Sequence, residues 1–159
     1  MMQDGAPNGY SIISFDGRNY KLDFKAAGRP AEYQMQIHAP EAVTADRLAR
    51  TPFWANVFNG SGRSKVEFRV DDKGEWTTMK RVLKVDPGYR AAFDADVAIK
   101  EKKWVTLPKP KPSTHLWEAL LPGNLATGSH LLHVRTTDRH GRTYHGRRTI
   151  RVEAVATSK

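Results

Sequence analysis

At 159 residues the chain is long enough for one domain with a real core and too short for two of ordinary size. Hydrophobic residues make up 39% and charged residues 27%, a mixture that folds rather than staying disordered, and the absence of Cys excludes disulfides, thiolate metal sites and cysteine nucleophiles. No apolar run approaches the roughly 20 residues that span a bilayer, so no membrane span is expected, and any export signal lies outside this chain. The charge is uneven: +8 of the formal +9 falls in residues 99–159. A field of that sign attracts phosphorylated or otherwise anionic partners, although outward Lys and Arg also guard sheet edges from pairing with other chains.

In chain order the first element is a strand over residues 10–15, turned by Asp16-Gly17 into a second in which Tyr20, Leu22 and Phe24 alternate with Lys21, Asp23 and Lys25. A strand over 33–38 follows. A short helix is expected over 41–50, stopped before Pro52, because the residue preceding a proline is pushed out of the helical region. Strands are expected over 53–59 and over the alternating Val66, Phe68 and Val70, with turns at Asn59-Gly60-Ser61-Gly62 and Asp72-Lys73-Gly74. A second short helix is expected over 87–94 and a strand over 97–106. The Pro-rich stretch 107–113 reads as an extended surface crossing, and 115–121 as a strand ending at Pro122-Gly123-Asn124. The last third closes with two alternating arms. Leu132, Val134 and Thr136 share one face of the first, Ile150 and Val152 share one face of the second, and Asp138-Arg139-His140-Gly141 makes the turn. This pattern predicts an all-β, immunoglobulin-like antiparallel β-sandwich with one or two short helices.

The turn imitates catalytic chemistry. Asp-x-His-Gly opens the metal site of many metal-dependent phosphoesterases, but a two-metal site needs several Asp, His and Asn ligands holding ions roughly 3.5–4 Å apart. The chain has no Asn-His, no Gly-Asp-x-x-Asp and no Gly-His-x-His, and no Gly-x-Ser-x-Gly elbow for a serine nucleophile. His130, His133, His140 and His145 crowd sixteen residues, yet His130 and His133 point to opposite faces of a strand. No catalytic residue and no metal or cofactor is assigned to this domain. Among the tryptophans, Trp54, Trp104 and Trp117 are expected in the core, and Trp76, just past a turn, is the candidate for stacking on a sugar ring. Lys102, Lys103, Arg135, Arg142, Arg147 and Arg148 are the anion-binding candidates. Nucleic acid is not expected as a partner, since the basic residues lack interleaved aromatics.

The landmarks Asp4-Gly5-Ala6-Pro7-Asn8-Gly9-Tyr10, Phe15-Asp16-Gly17, Asn56-Val57-Phe58, Asp86-Pro87, His115-Leu116-Trp117 and Thr137-Asp138-x-x-Gly141 follow one another in an order that resembles the C-terminal domain of bacterial calcineurin-like phosphoesterases. The resemblance spans about residues 4–152. It implies a β-rich accessory domain, non-catalytic in itself, that follows a catalytic metallophosphoesterase domain holding the divalent metal pair, in a protein usually exported to the periplasm. It also implies a division into a linker or interdomain segment (1–9), a sandwich (10–154) and a tail (155–159). Asp4, Pro7, Asn8, Gly9 and Tyr10 then become candidates for contact with the catalytic domain. The alternative is a free-standing binding module for carbohydrate or an anionic polymer.

Overall fold

The computed structural model describes residues 1–72 and 74–155; Lys73 of the expected Asp72–Gly74 turn and all but the first residue of the expected tail lie outside the described residues. Two sheets face each other. One runs in the order β4-β11-β10-β6-β7, built from Ala42–Thr44, Thr143–Glu153, Gly128–Thr137, Lys65–Val70 and Thr77–Thr78. The other runs β3-β5-β9-β8, from Met35–His38, Pro52–Val57, Pro112–Leu120 and Lys80–Val85. Pairing is antiparallel except for β4, which lies parallel to the end of β11. The expected antiparallel β-sandwich is the fold.

The core forms because the inward residues of both sheets meet. Leu132 and Val134 of β10, Ile150 and Val152 of β11, and Val66 and Phe68 of β6 pack against Ala55 and Phe53 of β5 and Trp117 of β9. Phe53 and Phe68 span the two sheets edge to face, their ring centroids 5.0 Å apart, within the range of a favourable aromatic pair. Gly146 of β11 is a packing glycine: a Cβ there would sit 2.9 Å from the sulfur of Met35. The terminal hairpin forms as expected, with Leu132 opposite Arg148, Val134 opposite Gly146 and a turn in which Gly141 takes φ +78°.

Several sequence expectations give way. The helix over 41–50 is divided, because the edge of β11 recruits Ala42–Thr44 into a ladder and only Ala45–Arg50 remains, as a 3-10 helix whose Leu48 plugs the core. The helix begun at Pro87 runs on to Ala98 (α1), capped by the Asp86 carboxylate accepting from the Tyr89 N–H at 2.8 Å, with Pro87 in the first turn. No strand forms over 97–106. Instead the chain wraps back on Asp96, whose carboxylate accepts from Trp104 Nε1 at 2.7 Å, the Leu107 N–H at 2.9 Å and Lys102 Nζ at 3.0 Å. Trp104 is therefore 55% exposed rather than core, Trp54 is half-buried with its indole N–H on Glu118, and Trp117 is buried as expected. Strands β7 and β8 had no period-2 signal, since β8 is an edge strand carrying Lys80, Arg81 and Lys84 with a bulge between Val82 and Lys84.

Strands β1 (Gly9–Asp16) and β2 (Asn19–Ala26) belong to neither sheet. They pair only with each other, in a ribbon turned at Gly17, and every residue of β1 is exposed.

Candidate functional site

The segment before β1 is tied into the sandwich by a polar network, and the landmark residues make it. Asp86, fully buried at the start of α1, accepts from Asn56 Nδ2 at 2.8 Å, while His38 Nε2 lies 3.0 Å from the same oxygen, off the line of a good hydrogen bond. Burial pushes the Asp86 carboxyl up, but His38, Asn56 and the Tyr89 N–H outweigh this and hold it below the ordinary range. Asn56 also donates to the Asp4 carbonyl at 3.0 Å, and its side-chain oxygen faces His115 Nδ1 at 2.7 Å. The other ring nitrogen of His115 meets the Asp4 carboxylate at 3.2 Å. Gly5 makes this closeness possible: it takes φ +87°, and a Cβ would lie 2.2 Å from Asp86 Cγ. Ala6 is 2% exposed. Asp4, Asn56, Asp86 and His115 thus join the N-terminal segment, both central strands of one sheet and α1.

Beyond that anchor the chain enters the β1–β2 ribbon. Tyr10, Ile12, Ile13, Phe15 and Tyr20 are 47–76% exposed. The register puts Ile13 beside Leu22 and Phe15 beside Tyr20 on one face, while Tyr10 and Ile12 lie on the other. At its base Phe24 packs on Phe58, centroids 5.8 Å apart, and Gln34 Nε2 donates to the Phe24 carbonyl at 2.7 Å. Arg142 pins the middle of β2. It pairs with Asp23 and Asp138 and donates to the Leu22 carbonyl at 3.0 Å. Burial raises the Asp138 carboxyl, and the hydrogen bonds from Arg142 and the His140 N–H override it, holding the group below the ordinary carboxylate range. The Asp138–Gly141 turn is thus a fastening for the ribbon.

The sequence-predicted candidates fall in three places. Asp4 turns inward to His115; Pro7, Asn8 and Gly9 lead into the ribbon, the Asn8 carbonyl accepting from the Ala27 N–H at 2.8 Å; and Tyr10 is 58% exposed. Of the anion candidates, Lys102 pairs with Asp96, Arg135 with Glu67 at 2.9 Å and Arg142 with two carboxylates, while Arg148 donates to the Ala39 carbonyl at 3.1 Å. Among the described residues Lys103 and Arg147 carry no ion pair. The six are not brought together. The guanidinium of Arg135 lies 4.3 Å and that of Arg69 4.9 Å from the ring centroid of Trp76, which is half-buried. Among the described residues no three His, Asp or Glu side chains are grouped so as to hold a metal ion. Asp138, His140 and His145 do not converge on one. Sequence reasoning missed His38, Asn56 and Asp86 as a network. Asp86-Pro87 carried a signal, the cap-then-proline start of a helix, but nothing marked Asn56 and His38 as its partners.

A two-sheet sandwich, an N-terminal segment anchored to it by a polar network, and a separate two-stranded ribbon with exposed apolar side chains make up this β-rich module. The chain belongs to the family described as the C terminal of calcineurin-like phosphoesterase, which matches it over residues 1–144. A comparison with curated proteins found no match. Among solved structures it is similar to CopC from Methylosinus trichosporium OB3b, with 14% identity, a TM-score of 0.38 and coverage of 78% of this chain and 95% of that one. It is also similar to the superoxide reductase neelaredoxin from Ignicoccus hospitalis, with 14% identity, a TM-score of 0.38 and coverage of 76% and 81%.

Proposed function

We propose that this chain is a non-catalytic accessory domain that seats on the catalytic domain of a calcineurin-like phosphoesterase through its β1–β2 ribbon. The observation that carries this is the apolar ribbon, with Tyr10, Ile12, Ile13 and Phe15 exposed on two faces. A two-stranded ribbon is barely stable in water alone, and contiguous exposed apolar surface marks an interaction site. Family membership supplies the partner. The metal pair that the family implies sits, in this reading, in the catalytic domain; among the described residues of this chain no three His, Asp or Glu side chains are grouped to hold an ion. In this reading the parent protein is exported, and the Asp4–His115–Asn56–Asp86 anchor sets the angle at which the ribbon leaves the sandwich.

The test mixes this chain with the catalytic domain of a calcineurin-like phosphoesterase and measures association by calorimetry. Replacing Ile13 and Phe15 with Asp should weaken binding at least tenfold while leaving the unfolding free energy of the isolated chain within about 0.5 kcal/mol of the parent, as for exposed substitutions generally. Equal affinity for the double variant would remove the ribbon from the interface. Metal-dependent hydrolysis of p-nitrophenyl phosphate by the isolated chain would end the non-catalytic reading.

A further inference from the structure

A cleft lies between the tip of the ribbon, the Ser61–Ser64 turn and the Asp138–Arg142 turn. It continues outward past Arg139 and His140 to Arg18 and Arg63. Four arginines line it, Arg18, Arg63, Arg139 and Arg142, against one carboxylate, Asp138. That carboxylate is already engaged: Oδ1 accepts from the His140 and Arg142 N–H groups at 2.8 and 3.0 Å, and Oδ2 from Arg142 Nε at 2.7 Å. Arg142 in turn spends its donors on Asp138, Asp23 and the Leu22 carbonyl. Arg142 and the two carboxylates that hold it, Asp138 and Asp23, therefore shape the cleft, and Arg18, Arg63 and Arg139 make no ion pair among the described residues.

The donors left over suit one kind of ligand. Arg139 lies over the Tyr20 ring, 4.2 Å from its centroid, and gives Nη1 to the Tyr20 hydroxyl at 2.9 Å and Nε to His140 at 3.1 Å. Those contacts orient the guanidinium and leave its Nη2 edge without a partner among the described residues. Two hydroxyls are poised in the same way. Ser64 Oγ accepts from the Ser61 N–H at 3.0 Å and Ser61 Oγ from the Arg63 N–H at 3.2 Å, so the backbone occupies their acceptor sides and each O–H proton is left to donate. The free guanidinium edge of Arg139 from one turn and the Ser61 and Ser64 hydroxyls from another line the same cleft, and donors from two directions match the several acceptor oxygens of a tetrahedral oxyanion better than the two of a planar carboxylate.

We infer that this cleft binds the phosphoryl group of a small phosphorylated molecule, with Arg139, Arg63 and Arg18 supplying charge and Ser61 and Ser64 supplying hydroxyl donors. The site is a property of the isolated chain and does not depend on docking to a catalytic domain. The test follows amide and side-chain NMR shifts of the isolated chain on titration with inorganic phosphate, glycerol 3-phosphate and acetate. Shifts confined to residues around Ser61–Ser64 and Asp138–Arg142, saturating at millimolar phosphate or glycerol 3-phosphate and at least tenfold weaker with acetate, are expected. Arg63→Glu, whose side chain is exposed, and Arg139→Ala should each weaken the phosphate response at least tenfold, whereas Lys103→Glu, which changes the net charge equally but lies outside the cleft, should not. Saturation by glycerol 3-phosphate alone assigns an ester, and saturation by both assigns the phosphoryl group itself. Equal response to acetate, loss of response in Lys103→Glu to the same degree as in Arg63→Glu, or no saturable shift with any anion would overturn the inference.

Discussion

Asp71 is the single non-glycine residue with positive φ among the described residues, at 58°, and its side chain explains why the strain is tolerated. Oδ1 accepts from the Leu131 N–H at 2.8 Å and Oδ2 lies 2.8 Å from His130 Nδ1. The second ring nitrogen of His130 faces the Ala126 carbonyl at 2.7 Å, so acceptors sit at both nitrogens and the doubly protonated imidazolium fits best. The Asp71 carboxylate and the Ala126 carbonyl accordingly raise the His130 pKa above the ordinary 6.5, and His130 with the Leu131 N–H lowers that of Asp71 below the ordinary 3.8. The linkage signs differ. A raised His contributes stability that is full below its unfolded value and is lost as pH climbs through its folded one; a depressed Asp contributes above its unfolded value and is lost as pH falls. The pair is therefore worth most between about pH 4 and 6.5. Asp71→Asn keeps a side chain that tolerates positive φ, and the stability gap to the parent, up to about 1 kcal/mol for a half-exposed pair, should be larger at pH 5.5 than at pH 8.5 in urea unfolding. A gap that does not move with pH would show that the charge on His130 contributes nothing that titrates across this range.

At the scale of elements, the ribbon and the loop after α1 show the same device. A segment without a sheet of its own is held by one residue with several bonds: Arg142 for β2, Asp96 for residues 102–107. For Asp96, hydrogen bonds from Trp104, the Leu107 N–H and Lys102 lower the pKa to about 2, so this fastening persists through mildly acid conditions. Arg142→Ala should release the outer half of the ribbon while sparing the sandwich, because β1 and β2 pair with no other strand. Hydrogen exchange is the direct readout: protection of the β1–β2 amides should fall at least tenfold, and that of β5, β9 and β10 should not change. Uniform loss of protection would mean instead that Arg142 supports the whole fold.

For the whole molecule, the decisive contact is the one that joins parts far apart in sequence. Asp86 caps α1, receives Asn56 from the end of β5, faces His38 from β3 and backs onto Gly5. Asp86→Ala removes a helix cap, worth about 0.5–2 kcal/mol, and strands a buried amide, worth about 1–3 kcal/mol. We expect a loss of about 3 kcal/mol in urea unfolding together with exposure of the 3–6 segment to proteolysis, whereas Asp46→Ala, at an exposed surface pair, should change stability by less than about 0.5 kcal/mol. A loss under about 1 kcal/mol for Asp86→Ala would show that the network can relax around the gap.

Strand periodicity, turn residues and the order of landmarks were enough to establish a β-sandwich and its family, because a half-buried strand writes its burial into every second residue and a turn writes its φ into Gly and Asp. Residues 132–136 and 150–152 kept the faces that this period assigned them. Edge strand β8 carried no such period, since Lys80, Arg81 and Lys84 hide the alternation, and the segment after α1 read as a strand because a carboxylate bonded to three separate donors leaves no periodic trace. Only the tertiary structure decided that the apolar residues of β1 point to solvent rather than to the core. Only it brought Asp4, Asn56, Asp86 and His115 into one network and placed three arginines from three different turns around one cleft. The physical reason is common to all of these: local pattern records what a residue's own strand or turn requires, whereas a contact across tens of residues exists only after both partners have been placed by folds of their own.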